Sequence, residues 1–283
     1  MQLICGRRTL DLSRPQVMGI LNTTPDSFSD GGNYYAGGGL DLDLVLRRAE
    51  QICNEGGTII DIGGESTRPG AAIVTEQQEM DRVVPAVEAI SQRLDVVISV
   101  DSSTPAVFRE SAAAGAGLIN DVRALTREGA LEAAAATGLP VCVMHMQGEP
   151  GSMQSNPVYT DVVAEVRAYL DGRLAACEAA GIPRDKVIYD PGYGFGKNDE
   201  HNLALLRHQR ELVPQGMALL VGMSRKSMIG RLLDRQVDER LPGSLALAML
   251  SAQRGAHIIR VHDVAATVDV LKLQQLIDHP EQP

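Results

Sequence analysis

Cations and hydroxyl groups cluster where one apolar run of the chain ends and a predicted helix begins. The apolar residues 218–221 are followed by Gly222 and then by Ser224, Arg225 and Lys226. The first turn of a helix offers unpaired backbone N–H groups and the positive end of the helix dipole. Two cations beside such a turn favour a phosphate or pyrophosphate ligand. A solvated Arg-Lys pair after a core strand explains the same residues, and this segment alone does not separate the two interpretations.

Acidic and amide residues occupy the equivalent position after other apolar runs. They are Asp101, Asn120 and Asp190, and with Lys226 they would surround one pocket. Carboxylates accept hydrogen bonds and an amide both accepts and donates, so the set suits a flat, amino-substituted heterocycle. An Asp after a strand also often caps the next helix. That interpretation is serious for Asp101 and weaker for Asp190, which is followed by Pro-Gly instead of a helix.

Arg260 and His262 stand two positions apart at the end of the last apolar run. Residues two apart on a strand face the same way, so both can point at the same anion. If Arg260 were absent, His262 would be interpreted as a core histidine. His145, which is followed by Met-Gln-Gly, is interpreted as structural. No cluster of His and Cys predicts a transition metal. A carboxamide together with a pyrophosphate would suit Mg²⁺, which prefers oxygen ligands and keeps much of its water.

Eight short apolar runs alternate with amphipathic segments along the chain. The runs are residues 17–21, 58–62, 96–100, 118–122, 141–144, 186–189, 218–221 and 257–261. The main helical segments are residues 42–55, 76–93, 105–114, 129–137, 159–180, 200–212, 239–254 and 265–277, with a shorter one at 227–233. Eight strand–helix repeats predict a (β/α)8 TIM barrel, as a single domain over residues 1–283. Residues 1–14 are predicted to form a small strand pair that closes the barrel floor.

A doubly wound open sheet is the competing architecture. It usually carries a Gly-x-Gly-x-x-Gly turn after its first strand, and residues 22–26 (NTTPD) do not form one. In a barrel, by contrast, all strands end on one face, where such enzymes keep their active sites. Polar residues follow every predicted strand, so the sequence predicts a site at the C-terminal rim. The glycine-rich segments 22–32 and 63–70 lie at that rim and are predicted to be lid loops.

Composition narrows the classes of function. The net charge of −10, without a long basic run, argues against nucleic-acid binding. No apolar run of about 18 residues predicts a membrane span, and no signal peptide is evident. The four cysteines are widely spaced, which is typical of reduced thiols in a cytoplasmic protein and not of a disulfide frame or a zinc site.

Four long motifs and one short motif resemble those of the bacterial dihydropteroate synthase family. They are residues 19–32 (GILNTTPDSFSDGG), 61–70 (DIGGESTRPG), 190–197 (DPGYGFGK), 222–226 (GMSRK) and 260–262 (RVH). The similarity runs from about residue 9 to about residue 272. The family members are barrel transferases that join a dihydropterin diphosphate to 4-aminobenzoate, releasing pyrophosphate, in folate biosynthesis. The resemblance implies these small-molecule substrates, sulfonamides as competing inhibitors, Mg²⁺ as cofactor and a homodimer that packs through late helices near residues 244–253.

The resemblance also assigns roles by motif position. The pterin would be held by Asp101, Asn120, Asp190 and Lys226 with Met144, Phe195 and Gly222. The diphosphate would be held by Asn22, Arg68, Arg260 and His262, with Asn22 acting through Mg²⁺. The 4-aminobenzoate would lie among Phe28, Thr67, Arg68, Pro69 and Ser224. Asp101, Lys226, Arg260 and His262 would be the catalytic residues, because charge develops beside them.

Two other functions remain open at this point. A barrel that transfers the methyl group of a reduced folate would share an Asp–Asn–Asp pterin pocket, but it would have little use for residues 224–226 or for the aminobenzoate loop. A pterin-binding protein without catalysis would not require Asn22, Arg68, Lys226 and His262 together.

Overall fold

The computed structural model describes residues 1–24, 35–36, 39–66, 74–148, 153 and 156–278. The strands are β1 (Gln2–Cys5), β2 (Arg8–Asp11), β3 (Gln16–Asn22), β4 (Tyr35–Ala36), β5 (Gly39–Leu40), β6 (Ile59–Gly63), β7 (Val97–Asp101), β8 (Leu118–Asp121), β9 (Val141–Met144), β10 (Val187–Asp190), β11 (Ala218–Val221) and β12 (Ile258–Val261). The helices are α1 (Leu42–Asn54), α2 (Glu76–Arg93), α3 (Pro105–Ala114), α4 (Ala130–Thr137), α5 (Val162–Ala179), α6 (Asp199–Arg207), α7 (Ser227–Leu233), α8 (Leu241–Gln253) and α9 (Val264–Asp278).

Eight parallel strands close into a barrel in the order β3-β6-β7-β8-β9-β10-β11-β12. Each is followed by at least one helix, so the predicted (β/α)8 TIM barrel is confirmed. All eight predicted strands are present, with ends that differ by one residue at most. Nearly continuous runs of Val, Ile and Leu form these strands because both faces of each strand are covered, by the barrel interior and by the surrounding helices.

Two helices differ most from the predicted spans, and a capping residue explains the first difference. The predicted helix 159–180 begins at Val162, because the Asp161 side chain accepts hydrogen bonds from the backbone of Val163 and Ala164. The predicted helix 200–212 divides into α6 and a separate 3₁₀ turn, Gln209–Glu211. Helices α2, α3 and α7 have the predicted ends.

The barrel floor is apolar and the opposite rim is polar. The predicted N-terminal strand pair is confirmed as the antiparallel hairpin β1–β2. Its buried side chains pack with inward residues of all eight barrel strands, and this group comprises Leu3, Cys5, Leu10, Leu12, Met18, Ile59, Val97, Leu118, Cys142, Ile188, Ala218, Leu220 and Ile258. A second cluster fills the space between the strands and the helices. Within the part of the chain that the structure describes, the polar end of the barrel interior is therefore at the C-terminal ends of the strands.

No helix within the described ranges combines the length and the hydropathy that crossing a membrane requires. The four cysteines are unpaired.

Candidate active site

The register of the barrel places a row of candidate residues side by side at the rim. Asn22 of β3 pairs with Gly63 of β6, Gly63 pairs with Asp101 of β7, and Asp101 pairs with Asn120 of β8. Because the strands are parallel, their side chains at one level point to the same region of the barrel mouth. The missing side chain of Gly63 leaves space between Asn22 and Asp101: a Cβ added there would lie 3.6 Å from both Asn22 Oδ1 and Asp101 Cβ.

A fully buried carboxylate, Asp61 of β6, lies at the centre of this arrangement. Its oxygens accept hydrogen bonds from Ser99 Oγ at 2.5 Å, from Asn120 Nδ2 at 3.2 Å and from Arg260 Nε at 2.6 Å. A buried charge is costly unless it is paired and hydrogen-bonded, and Asp61 has both kinds of partner. It therefore fixes the orientation of Asn120 and Arg260.

Arg260 connects Asp61 to Asp101. Its Nη2 donates to Asp101 Oδ2 at 2.9 Å while its Nε donates to Asp61. Burial alone would lower the pKa of Arg260, but the two carboxylates outweigh it and raise that pKa above its usual value. Arg260 is therefore positively charged at any physiological pH. A guanidinium has five N–H donors, and these two bonds use two of them.

Asp101 has an unusual acid–base behaviour for an aspartate. Burial raises its pKa to about 7, against the opposing effect of Arg260, and the nearby carboxylates of Asp61, Asp121 and Glu79 raise it further. Its carboxylate bonds Arg260 across the barrel mouth, which favours a role in the site over the helix-capping alternative.

Asp190 and Lys226 face each other on the opposite side of the mouth. Burial raises the pKa of Asp190, and Lys226 acts against that rise. Burial lowers the pKa of Lys226 to about 8, with Asp190 opposing. Lys226 Nζ donates to the backbone carbonyl of Tyr193 and lies 4.5 Å from the centroid of the Phe195 ring. The cation thus lies between a carboxylate, a carbonyl and an aromatic face.

The remaining residues predicted to bind the pterin also lie at this rim. Met144 is buried at the end of β9 and pairs in register with Asp190. Gly222 follows β11, and a Cβ added there would lie 3.7 Å from Arg260 Cβ. All seven predicted pterin residues are thus at the C-terminal rim. Asp190 and Arg260 interact electrostatically across it.

The two cations of the segment 224–226 have different partners. Arg225 is turned away to Asp263, which accepts from its Nε at 2.9 Å and from its Nη2 at 2.5 Å. Arg225 has φ +56, the left-handed region that non-glycine residues rarely adopt. Ser224 Oγ accepts from the His262 backbone N–H at 3.2 Å and lies 3.1 Å from His262 Nδ1. Of this segment, Lys226 and Ser224 reach the predicted site.

The donor chemistry near Asn22 is compatible with a magnesium ion held mainly by a substrate. Asn22 ends β3 at the rim and is partly exposed. Among the residues that the structure describes, no three His, Cys, Asp or Glu side chains group as a metal site. Mg²⁺ commonly uses one or two protein oxygens and takes its other ligands from phosphate and water. A single carboxamide oxygen fits that pattern.

Four residues predicted for the aminobenzoate and diphosphate sites lie outside the described residues: Phe28, Thr67, Arg68 and Pro69. Their roles stay predictions.

Asp61 is the central residue that the sequence did not identify as part of the site. The sequence places it only at the start of the motif 61–70. Its position inside a strand of Thr, Ile and Gly was the available signal, because a carboxylate within a doubly covered strand must have a buried partner.

Comparison with known proteins shows a close and nearly full-length similarity. Residues 18–262 match the model of the family described as "Pterin binding enzyme". The dihydropteroate synthase of Escherichia coli (strain K12) is 56% identical over 273 residues, which cover 96% of this chain and 95% of that protein.

Solved structures agree with that similarity. The chain superposes with a TM-score of 0.94 and 55% identity on the Yersinia pestis dihydropteroate synthase with a sulfonamide drug complex, covering 98% of this chain and 99% of that one. It superposes with a TM-score of 0.88 and 43% identity on the Xanthomonas albilineans dihydropteroate synthase in complex with 7,8-dihydropteroate, covering 99% of both chains.

Proposed function

This chain belongs to the pterin-binding enzyme family, among its dihydropteroate synthases, and from that premise we propose which residues perform the reaction. The enzyme is a transferase of folate biosynthesis. It condenses 6-hydroxymethyl-7,8-dihydropterin diphosphate with 4-aminobenzoate and gives 7,8-dihydropteroate and pyrophosphate. The observation that carries the assignment of residues is the hydrogen-bonded Asp61–Arg260–Asp101 group at the rim, with Asp190 and Lys226 facing it.

The pterin ring is proposed to bind between these two sides of the mouth. Asp101 and Asp190 offer oxygen acceptors, Asn120 offers an amide, and Lys226 donates. A pterin presents N–H donors and ring acceptors along its edges, so each of these groups has a partner. Met144, Phe195 and Gly222 would border the flat ring, the first two with apolar surface and the glycine by leaving space.

The diphosphate is proposed to bind beside Arg260 and His262. Two of the five donors of Arg260 hold carboxylates, so others can reach a phosphate oxygen. The bond between His262 and Ser224 orients the imidazole. Arg68 and Asn22 complete the proposed set, with the Asn22 carboxamide oxygen as the protein ligand for Mg²⁺. When bound, the ion would neutralise charge on the departing diphosphate.

The 4-aminobenzoate is proposed to lie at Ser224, framed by Phe28, Thr67, Arg68 and Pro69. The same subsite would accept sulfonamides, and the Yersinia pestis relative was solved with such a drug.

The proposed mechanism separates charge across the mouth. The bond between the pterin methylene carbon and the diphosphate oxygen breaks first, and its electron pair leaves with the oxygen. The resulting pterin cation is stabilised by the Asp101 carboxylate, while Arg260 and His262 stabilise the diphosphate. The arylamine nitrogen then attacks the methylene carbon and releases one proton. Fixed charges placed where charge develops are an efficient way to lower a barrier, and no protein nucleophile is required.

Further aspects of the function are proposed on the same basis. The chain forms one domain over residues 1–283, acts in the cytoplasm on small molecules and does not bind nucleic acid or membrane. It forms a homodimer through the region of residues 244–253, which are rich in Leu and Ala.

The release of pyrophosphate tests the reaction directly. The purified chain is mixed with the pterin diphosphate, 4-aminobenzoate and Mg²⁺, and pyrophosphate and dihydropteroate are measured. We expect both products in equal amounts, and neither when chelator removes the metal. Pterin binding without product would indicate a binding protein. Methyl transfer from a reduced folate would indicate the other barrel enzyme.

A further inference from the structure

A second lysine, Lys197, lies directly behind the active-site rim and has no part in the chemistry described above. Its side chain is 1% exposed. Its Nζ lies 3.0 Å from the carbonyl oxygens of Gly192 and Phe195, 3.2 Å from the carbonyl oxygen of His145 and 2.9 Å from His145 Nδ1. A fully buried lysine is rare unless its charge is paired or well hydrogen-bonded. Because three carbonyl oxygens surround its Nζ, we expect Lys197 to have a specific role in the structure.

Two of these carbonyls, those of Gly192 and Phe195, belong to the turn 192–195, which follows β10 and has a tightly restricted backbone. Gly192 has φ +65, and a Cβ added there would lie 1.9 Å from the His145 carbonyl oxygen. The Gly194 N–H donates to Asn202 Oδ1 at 2.8 Å. The turn is thus pressed against the chain after β9 on one side and tethered to α6 on the other.

Lys226 reaches the same turn from the opposite side, where the substrate binds. Its Nζ donates to the Tyr193 carbonyl and lies 4.5 Å from the centroid of the Phe195 ring. A Cβ added at Gly194 would lie 3.2 Å from Lys226 Cδ. The turn 192–195 is therefore contacted by two lysines, by Lys197 on the side away from the substrate and by Lys226 on the substrate side.

We propose that Lys197 is a positioning residue for the reaction: by binding the Gly192 and Phe195 carbonyls from behind, it fixes the turn whose Tyr193 carbonyl and Phe195 ring hold Lys226 against the pterin. This inference rests on the proposed role of Lys226. Four acceptors surround Nζ, namely three carbonyl oxygens and His145 Nδ1, so the three donors of an ammonium group can all be bonded. The His145 imidazole is neutral, because burial and Lys197 lower its pKa to about 3, so its Nδ1 can serve as a further acceptor.

The test is a double-mutant cycle between the two lysines. Lys197→Met, Lys226→Met and the double variant are compared with the wild type in KM for the pterin diphosphate, KM for 4-aminobenzoate, kcat and melting temperature. Lys186→Met is the matched control, since Lys186 Nζ also donates to a backbone carbonyl, that of Gly138, but through a hydrogen bond that is exposed.

We expect Lys197→Met to raise the pterin KM by about tenfold, a loss within the range for removing one partner of a buried hydrogen bond. The KM for 4-aminobenzoate and the control variant should stay within about twofold of the wild type, which is the scatter expected of changes away from the pterin. In the Lys226→Met background, removing Lys197 should have little further effect on the pterin KM.

The positioning role would be overturned if Lys197→Met and Lys226→Met had additive effects on the pterin KM. It would also be overturned if Lys197→Met raised the KM values of both substrates equally in both backgrounds. If Lys226→Met leaves the pterin KM unchanged, the proposed role of Lys226 fails instead, and the two failures are distinguishable. If Lys197→Met does not fold, His145→Leu replaces it, because it removes one acceptor of Nζ and leaves the turn intact. His145→Leu should raise the pterin KM by less than Lys197→Met does, and this rise should disappear in the Lys226→Met background. A rise that persists in that background would contradict the proposal.

Discussion

The two sides of the barrel mouth hold their charged groups by different means. On the side formed by β6, β7, β8 and β12, side chains hold one another, with Asp61 and Asp101 bonded to Arg260. On the side formed by β10 and β11, Lys226 is held by a carbonyl and an aromatic ring of the turn 192–195. The first side is fixed by charge pairing, whereas the second adds the backbone shape of the turn to the interaction of Lys226 with Asp190. Substitutions should therefore damage the two sides in different ways.

The largest effect on stability is expected on the charge-paired side. Arg260→Met would leave the fully buried Asp61 without its cation, and the loss of one partner of a buried pair costs about 3–5 kcal/mol. Arg231→Met is the control, since Arg231 pairs with Asp199 on an exposed surface and such pairs contribute about 0–1 kcal/mol. Urea unfolding of both variants measures the difference. Equal losses would mean that Asp61 does not depend on Arg260.

A large effect on catalysis, with the fold retained, is expected for Asp101→Asn. The amide keeps an acceptor for Arg260 but removes the negative charge beside the pterin cation, so kcat should fall by about 10²–10³-fold. Asp95→Asn is the control, because Asp95 is an exposed partner of Arg8. Steady-state kinetics and melting temperature are compared for both. Near-normal turnover of Asp101→Asn would reject the electrostatic role.

The backbone-shaped side should respond to the addition of a single methyl group. Gly192→Ala places a Cβ against the His145 carbonyl, whereas Gly181→Ala, at φ +91, meets nothing within 4 Å. The left-handed conformation alone costs about 1–2 kcal/mol at either position. We expect Gly192→Ala to lose clearly more stability than Gly181→Ala and to raise the pterin KM. A pair of variants with the same free energy of unfolding would show that the turn relaxes freely.

The smallest expected effect is on the pH dependence of kcat/KM, in which each side of the mouth should control one limb. Asp101, whose pKa is raised to about 7, must be ionised, so kcat/KM falls as the pH drops below about 7. Lys226, whose pKa is lowered to about 8, must be protonated, so kcat/KM falls as the pH rises above about 8. Lys226→Arg should abolish the basic limb alone, since a guanidinium does not deprotonate in this range. A basic limb that persists in this variant belongs to another group.

The same comparison explains what the sequence could predict. Strands, helices and the rim position of Asp101, Asn120, Asp190 and Lys226 follow from local patterns, because apolar runs and polar strand ends are contiguous in the chain. The pairing of Asp61 with Arg260 depends on strand register across the closed barrel, which no local pattern specifies. The sequence groups Arg225 with Lys226 for the same reason, since the pairing of Arg225 with Asp263 forms only in the folded chain. The contact of Lys226 with the Tyr193 backbone carbonyl does not depend on a particular side chain, so the residue types in the sequence cannot indicate it.

The charge separation across the mouth is tested most directly by a secondary isotope effect. The two methylene hydrogens of the pterin diphosphate are replaced by deuterium, and kcat/KM is measured for His262→Gln, which keeps Asp101 and in which departure of the diphosphate should limit the rate. Loss of the diphosphate before amine attack converts that carbon towards a planar cation. We therefore predict a normal effect, with the deuterated substrate reacting more slowly. An effect of unity would show that the amine attacks as the diphosphate leaves, and it would contradict the stabilised cation on which the role of Asp101 depends.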